Sequence, residues 1–284
     1  MQVEPLVEEW NRSFHLDVRR EFRDLSAFDL LECQGCSLQY FVPNSLAGSP
    51  DLYAQLEKFA WYYLPHKWEH DVALEDLQGC RRVLEIGCGF GDFVARAQRD
   101  EQLEMDGIEQ NASAVEQARR RGLPVCLFDL REAAAQFPGK YDAVCSFQVL
   151  EHVASPMEFL KAVCALLRPG GKLLLGLPNA RSFLRYQFNL LDLPPHHMTR
   201  WSERVLGRLP GIFPLRLDRI KREPLAEYHV DAYVEAHCSL LVRYKATQPL
   251  CDPRARGVLA RLLKCTGVRR LLLGQSLYVS YVRV

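Results

Sequence analysis

A run of glycines and three acids stand in an order that can hold a nucleoside. The segment Val83-Leu84-Glu85-Ile86-Gly87-Cys88-Gly89-Phe90-Gly91-Asp92 is a short apolar stretch that ends in glycines spaced Gly-x-Gly-x-Gly. Glycine allows positive φ and lets a ligand approach the backbone closely, and a helix starting there offers free N–H groups. A dinucleotide site uses Gly-x-Gly-x-x-Gly instead. Asp92, at the start of the following helix, suits the helix dipole but opposes a pyrophosphate. The turn therefore predicts a ligand without phosphate. Glu109, followed by Gln110, closes the next apolar stretch, where a carboxylate can accept two ribose hydroxyls. Asp129, followed by Leu130, closes the third, where a carboxylate can accept from an exocyclic amine such as that of adenine. Taken singly, each acid reads equally well as a helix cap or a solvated turn residue. Their succession behind the glycine turn points to a nucleoside cofactor.

The residues suited to proton transfer are histidines. His152 follows the fourth apolar stretch, and His196 and His197 lie in the loop Leu193-Pro194-Pro195-His196-His197. Each carries a structural alternative: His152 as an orienter of its own loop, the pair as loop rings bonded to backbone. No carboxylate cluster accompanies them in sequence, so no metal is expected there. The aromatic run Phe59-Ala60-Trp61-Tyr62-Tyr63, with Trp68, reads equally as a lid over an acceptor or as core packed on the sheet.

The elements that must position these groups are read from apolar periodicity. Strands are predicted at Arg82 to Ile86, Leu103 to Ile108, Pro124 to Phe128, Tyr141 to Phe147 and Lys172 to Leu177. Helices are predicted at Asp92 to Asp100, Ala112 to Arg121, Ala133 to Phe137 and Pro156 to Leu167, the last stopped by Arg168-Pro169-Gly170-Gly171. This alternation predicts a parallel sheet with helices on both faces, and the wholly apolar strands fit burial on both sides. In such sheets ligands sit beyond the carboxyl ends of the strands, where the glycine turn and both following acids fall. Beyond the alternating region, a short helix is expected at Ser202 to Leu209, strands at Phe213 to Lys221 and Gln275 to Val284, and helices at Ala226 to Lys245 and Arg254 to Leu263. Upstream, residues 51 to 77 have a helical pattern broken at Pro65, and residues 30 to 43 read as strand, Cys-x-x-Cys turn, strand. The division expected is an N-terminal arm (1–50), a core (51–225), a helical insertion or cap (226–274) and a final core strand (275–284).

Composition narrows the class. The chain has 284 residues, 48% apolar and 25% charged, with a net charge of +1, which gives no whole-chain attraction to nucleic acid or an anionic membrane. The run Arg119-Arg120-Arg121 reads as a solvated helix end. Ten cysteines do not imply a disulfide scaffold, because Cys126, Cys145 and Cys164 lie in or beside apolar runs, where free cysteine behaves as a small hydrophobe. With no apolar signal core at the start and no run near the ~18 residues needed to span a bilayer, a cytoplasmic enzyme is expected.

Residues 81 to 177 resemble the class I S-adenosylmethionine-dependent methyltransferases. The matching pieces are Val83 to Gly91, Gly107-Ile108-Glu109, Phe128-Asp129, Phe147-Gln148-Val149-Leu150-Glu151-His152-Val153 and Leu167-Arg168-Pro169-Gly170-Gly171-Lys172-Leu173. The resemblance implies a Rossmann-like, doubly wound α/β fold with a seven-stranded sheet whose last strand is antiparallel, and S-adenosyl-L-methionine as cofactor. It implies that Glu85 and the turn residues Gly87, Cys88, Gly89 and Gly91 line the methionine part. Glu109 and Gln110 would lie at the ribose, Asp129 and Leu130 at adenine, and Gln148 beside the cofactor. The Pro-Pro-His-His loop is similar to one found in a bacterial subgroup acting on sugars or other small metabolites, which implies a small-molecule acceptor. In that subgroup a cysteine-rich knuckle often opens the chain. Cys33-x-x-Cys36 resembles its second half, but the upstream pair is missing and Ser37 replaces the usual glycine, so a degenerate knuckle without metal is expected. The reading from a different class is a scaffold that keeps the fold and has lost catalysis. The acceptor, the atom methylated and the oligomeric state are not readable from the sequence.

Overall fold

The computed structural model describes residues 1–99 and 103–284. The chain opens with α1 (Val3–Phe14) and α2 (Arg19–Phe22), then the hairpin β1 (Asp29–Glu32) and β2 (Gln39–Val42), joined by the Cys33-x-x-Cys36 turn. The arm is more ordered than its sequence suggests. Val3, Leu6, Val7 and Trp10 of α1 are buried in one cluster with Phe41, Leu52, Leu190 and Met198. Packing is therefore continuous across residue 50, and β2 also pairs antiparallel with the short β8 (Thr199–Arg200). Two helices follow, α3 (Pro50–Leu56), capped by the Ser49 hydroxyl, and α4 (Trp68–Asp76). The predicted helical stretch is interrupted over the whole segment between them, not at Pro65 alone.

The alternating region then runs β3 (Arg82–Ile86), α5 (Asp92–Ala97), β4 (Glu104–Glu109), α6 (Ala112–Arg120), β5 (Val125–Leu127), α7 (Leu130–Gln136), β6 (Tyr141–Phe147), α8 (Pro156–Leu166) and β7 (Leu167–Pro178). The predicted end of the first of these helices, Asp100, lies outside the described residues. After β8 come α9 (Glu203–Leu206), β9 (Leu215–Pro224), α10 (Val230–Leu241), α11 (Pro253–Cys265) and β10 (Leu273–Arg283). One sheet of seven strands has the order β5-β4-β3-β6-β7-β10-β9. β3 to β7 pair in parallel, and β10 inserts antiparallel between β7 and β9.

The strands are apolar on both faces because both faces are covered. Leu84, Leu173, Leu175 and Leu177 join one buried cluster with Leu160 and Val163 of α8. Val83, Cys145 and Leu174 join the opposite cluster with Ala73 of α4 and Phe93 of α5. Successive strand side chains point to opposite faces, so a continuous apolar run fills both layers. At the sheet's edge β5 has only one neighbour, and Cys126 there is exposed. The expectation that Cys126 packs as a buried hydrophobe thus fails where Cys145 and Cys164 fulfil it. Among the described residues none of the ten cysteines is joined in a disulfide. Arg119-Arg120-Arg121 is also more than a solvated end: Arg119 Nε donates to the Val125 carbonyl at 2.9 Å, and Arg121 Nη1 donates to the Phe90 carbonyl and pairs with Asp92, both at 2.8 Å. No helix among the described residues is long and apolar enough to cross a membrane.

Candidate active site

The glycine turn leaves β3 in the left-handed region, with φ of +72° at Gly87, +52° at Gly89 and +75° at Gly91. Gly87 still donates its N–H to the Ile108 carbonyl at 2.8 Å, so the turn is pinned to β4 as it departs. Space as well as φ demands glycine: a Cβ at Gly87 would lie 2.4 Å from Val149 Cγ2, and one at Gly89 would lie 3.1 Å from the Tyr63 ring. Glu109 braces the turn from the next strand. Its carboxylate accepts the Gly89 N–H at 2.9 Å and the N–H groups of Gln110 and Asn111 at 2.8 and 2.9 Å. Asp129 accepts from the N–H groups of Arg131 and Glu132, the capping alternative weighed above, and stays exposed.

A cavity of about 830 Å³ opens at the carboxyl ends of the strands. One wall is the turn from Gly87 to Phe90 with Glu85 and Gln148, the other His152, His196 and His197. Of the thirteen cofactor and catalytic residues expected from sequence, the structure brings these eight to the cavity: Glu85, Gly87, Cys88, Gly89, Gln148 and the three histidines. Gly91, Glu109, Gln110, Asp129 and Leu130 do not line it. The aromatic segment between α3 and α4 lies across both walls. The Tyr63 ring covers Gly89 and meets Phe90 edge to face at 4.8 Å, while the Tyr62 hydroxyl stands 3.2 Å from His196 Nε2. The lid and core readings of this run are therefore two aspects of one placement.

Several lining residues carried no signal of their own. Glu69 on α4 is buried and accepts from Gln148 Nε2 at 2.9 Å. Gln148 holds φ of +58°, a left-handed conformation rare outside glycine, at the turn leaving β6. His70 is wedged between Phe93 and Phe147, with ring centroids 4.9 and 5.0 Å away, and burial pushes it down to about 2. Glu151 is 1% exposed, and neither of its carboxylate oxygens has a hydrogen-bond partner. It stood in the quoted motif, but burial without a partner leaves no mark in sequence.

Desolvation dominates the electrostatics. Burial pushes the Glu85 carboxyl up to about 8, with Lys67 opposing, and leaves its Oε2 unpartnered. Burial likewise raises Glu151 to about 7, against the nearby His197. It holds His152 down to about 3 and His196 well below the ordinary imidazole range. These two rings are neutral near pH 7. A carbonyl can only accept, so His152 Nδ1 donates to the His196 carbonyl at 2.7 Å and His196 Nδ1 to the Leu191 carbonyl at 2.8 Å. Away from the cavity, Cys33 and Cys36 are half-buried, and the backbone N–H of Cys36 keeps the Cys33 thiol below its ordinary range.

S-adenosylmethionine fits these residues on two counts. Its cationic sulfonium and ammonium suit a cavity end holding the unpartnered Glu85 Oε2 with Asp92 nearby. The side-chain-free surface at Gly87 and Gly89 is a cradle that a single Cβ would fill.

Comparison with known proteins gives the same answer. Residues 60–213, more than half of the chain, match a family model described as a methyltransferase domain. The ubiquinone biosynthesis O-methyltransferase of Bordetella avium is 29% identical over 181 residues, covering 57% of this chain and 74% of that protein. Its namesake in Xanthomonas oryzae pv. oryzae is 34% identical over 121 residues, covering 40% of this chain and 50% of its own length. Among solved structures, a chain from a complex of the Haloferax volcanii Trm112 methyltransferase activator superposes with a TM-score of 0.52 at 17% identity, covering 76% of this chain and 89% of that one. The [4+2]-cyclase SpnF superposes at 0.50 and 19% identity, covering 75% and 80%. These structural likenesses speak for the fold alone. The family match, the sheet order and the glycine cradle together place the chain in the S-adenosylmethionine-dependent methyltransferase family.

Proposed function

We propose that the chain transfers a methyl group from S-adenosylmethionine to a hydroxyl of a small-molecule acceptor seated at the histidine end of the cavity. The observation that carries this reading is that one cavity of about 830 Å³ is walled by the glycine turn on one side and by His152, His196 and His197 on the other. That volume falls within the range of small-molecule and cofactor sites. The choice of a hydroxyl is supported by the O-methyltransferase names of the relatives in Bordetella and Xanthomonas.

In this reading Glu85, Gly87, Cys88, Gly89 and Gly91 hold the methionine part, Glu109 and Gln110 the ribose, Asp129 and Leu130 the adenine, and Gln148 lies alongside. The bound cofactor supplies the electrophilic methyl. The chain's share is positioning, since in-line displacement depends on orientation and exclusion of water. Tyr63 over Gly89 shields the turn, and Glu69 fixes the Gln148 side chain. The neutral ring of His152 presents a lone pair at Nε2 where an acceptor hydroxyl can donate, while His196 Nε2 holds the Tyr62 hydroxyl.

Calorimetry with S-adenosylmethionine tests the cofactor half. Wild type binds, and Glu109→Ala weakens binding at least about tenfold, because it removes the ribose acceptor and unties the Gly89 N–H. No binding by wild type at high micromolar cofactor defeats the proposal. Incubating metabolite extracts with methyl-labelled cofactor then identifies the acceptor.

A further inference from the structure

The geometry points to a divalent transition-metal site formed by His152, His196 and His197 at the acceptor end of the cavity, with the Glu151 carboxylate beside it. One ring nitrogen from each histidine lies within 4.8 Å of one from each of the others. Three imidazoles from two distant segments are drawn together with ring centroids 4.5 to 4.8 Å apart. Sequence reading set metal aside for want of a carboxylate cluster; the structure places three imidazoles together and one carboxylate, Glu151, beside them.

The hydrogen bonds fix which atoms face inward. His152 Nδ1 donates to the His196 carbonyl, His196 Nδ1 to the Leu191 carbonyl, and His197 Nδ1 to Asp192 Oδ1 at 3.2 Å. The His152 and His196 rings thus have their protons committed at Nδ1 and their lone pairs at Nε2, and His197, tied to Asp192 through Nδ1, offers the same nitrogen. Metal-ligating histidines are held in just this way, by a carbonyl or carboxylate on the other nitrogen. Among the described residues only the Tyr62 hydroxyl donates to one of these lone pairs, that of His196.

Glu151 is the second, independent observation. Its carboxylate is 1% exposed with both oxygens unpartnered, and Oε1 lies 3.8 Å from His152 Nε2. A buried carboxylate without a hydrogen bond is costly unless a cation meets it. A cation held by the rings would stand close enough to offset the buried charge of this carboxylate without being ligated by it.

Imidazole-rich donor sets suit zinc and its neighbours, whereas magnesium and calcium require oxygen ligands. A spread of up to 4.8 Å is wider than the ~3.3 Å between nitrogens of a tetrahedral zinc site, so the rings close on the ion by small rotations that release Tyr62. Because the histidines line the cavity, a coordination position stays open toward it, as in catalytic zinc sites. An acceptor hydroxyl bound there becomes more acidic. That role rests on the methyl-transfer reading; the site itself does not.

The test uses the full chain, stripped with chelator, loaded with zinc, dialysed and assayed for metal. One equivalent of zinc is expected, unchanged in Cys33→Ser/Cys36→Ser. Cobalt titration is expected to give ligand-field bands without a thiolate charge-transfer band. Asp192→Asn, which alters the partner of His197 Nδ1 and of Arg200 but removes no ligand, should weaken zinc binding roughly 10- to 100-fold, and His197→Ala more. If His197→Ala does not fold, as judged by circular dichroism, the cobalt spectrum and Asp192→Asn decide. Trace zinc with no cobalt bands overturns the proposal, as does zinc that leaves with the two cysteines. Cofactor calorimetry on the same preparation reports on the methyl-transfer reading separately.

Discussion

Glu85 should destabilise the cofactor-free protein, and do so more as pH rises. Its carboxyl is raised from an ordinary 4.5 to about 8, mainly by burial, and Oε2 has no partner. Below pH 4.5 the group is protonated in both folded and unfolded chains and has no effect. Between 4.5 and 8 the unfolded chain ionises while the folded one keeps its proton, so stability falls with pH, and the loss levels off above 8. At 1.36 kcal/mol per pH unit, the cost is about 2 kcal/mol at pH 6 and about 4 kcal/mol at pH 7.5. Glu85→Gln removes the ionisation. Urea unfolding of the cofactor-free chain should then show the variant gaining on wild type by about 2 kcal/mol between pH 6 and 7.5. A cationic cofactor beside the carboxyl should drive its proton off. Calorimetry at pH 7 in buffers of different ionisation enthalpy should find close to one proton released by wild type and none by the variant. Parallel stability profiles for the two proteins would refute the reasoning, because they would mean that Glu85 ionises in the folded chain as it does in the unfolded one.

Gly87→Ala places a Cβ 2.4 Å from Val149 at φ of +72°, and should cost roughly 2 kcal/mol or more in urea unfolding while weakening cofactor binding in calorimetry. Asp129→Ala should lower stability by about 1 kcal/mol through loss of the α7 cap and also weaken cofactor binding several-fold; an unchanged affinity reduces Asp129 to a cap. Tyr278→Phe deletes a 2.6 Å hydrogen bond to Asp76, a carboxylate that also pairs with Arg219 at 2.7 Å. Chemical denaturation should show a loss of about 1.5–3 kcal/mol, with cofactor affinity unchanged because Tyr278 lies in the sheet away from the cavity lining.

The two halves of the site differ in how far sequence exposes them, and the reason is physical. Gly87, Gly89 and Glu109 are placed by local rules: a strand ends, a turn needs positive φ, and the next parallel strand brings its last residue alongside. Each rule acts over a few residues, so spacing alone predicts the neighbourhood, and Glu109 does meet Gly89 at 2.9 Å. At Asp129 strand end and helix cap are one position, and the side chain accepts from the first N–H groups of its own helix. The histidine end obeys no local rule. Tyr62 comes from the segment before α4, Glu151 and His152 from the turn after β6, His196 and His197 from a loop some forty residues on (His152 to His196 is 44). Their meeting depends on α1, β2 and β8 packing as one layer with Leu190 and Met198. The spacing Val3, Leu6, Val7, Trp10 does mark one apolar helix face in that layer, but no local rule says which distant surface it covers, so residues 1 to 50 read as an arm. It follows that variation in the N-terminal layer can reshape the acceptor end while leaving the glycine turn untouched. On the proposed reading, cofactor use is set by the sheet, and the choice of acceptor by segments the sheet does not contain.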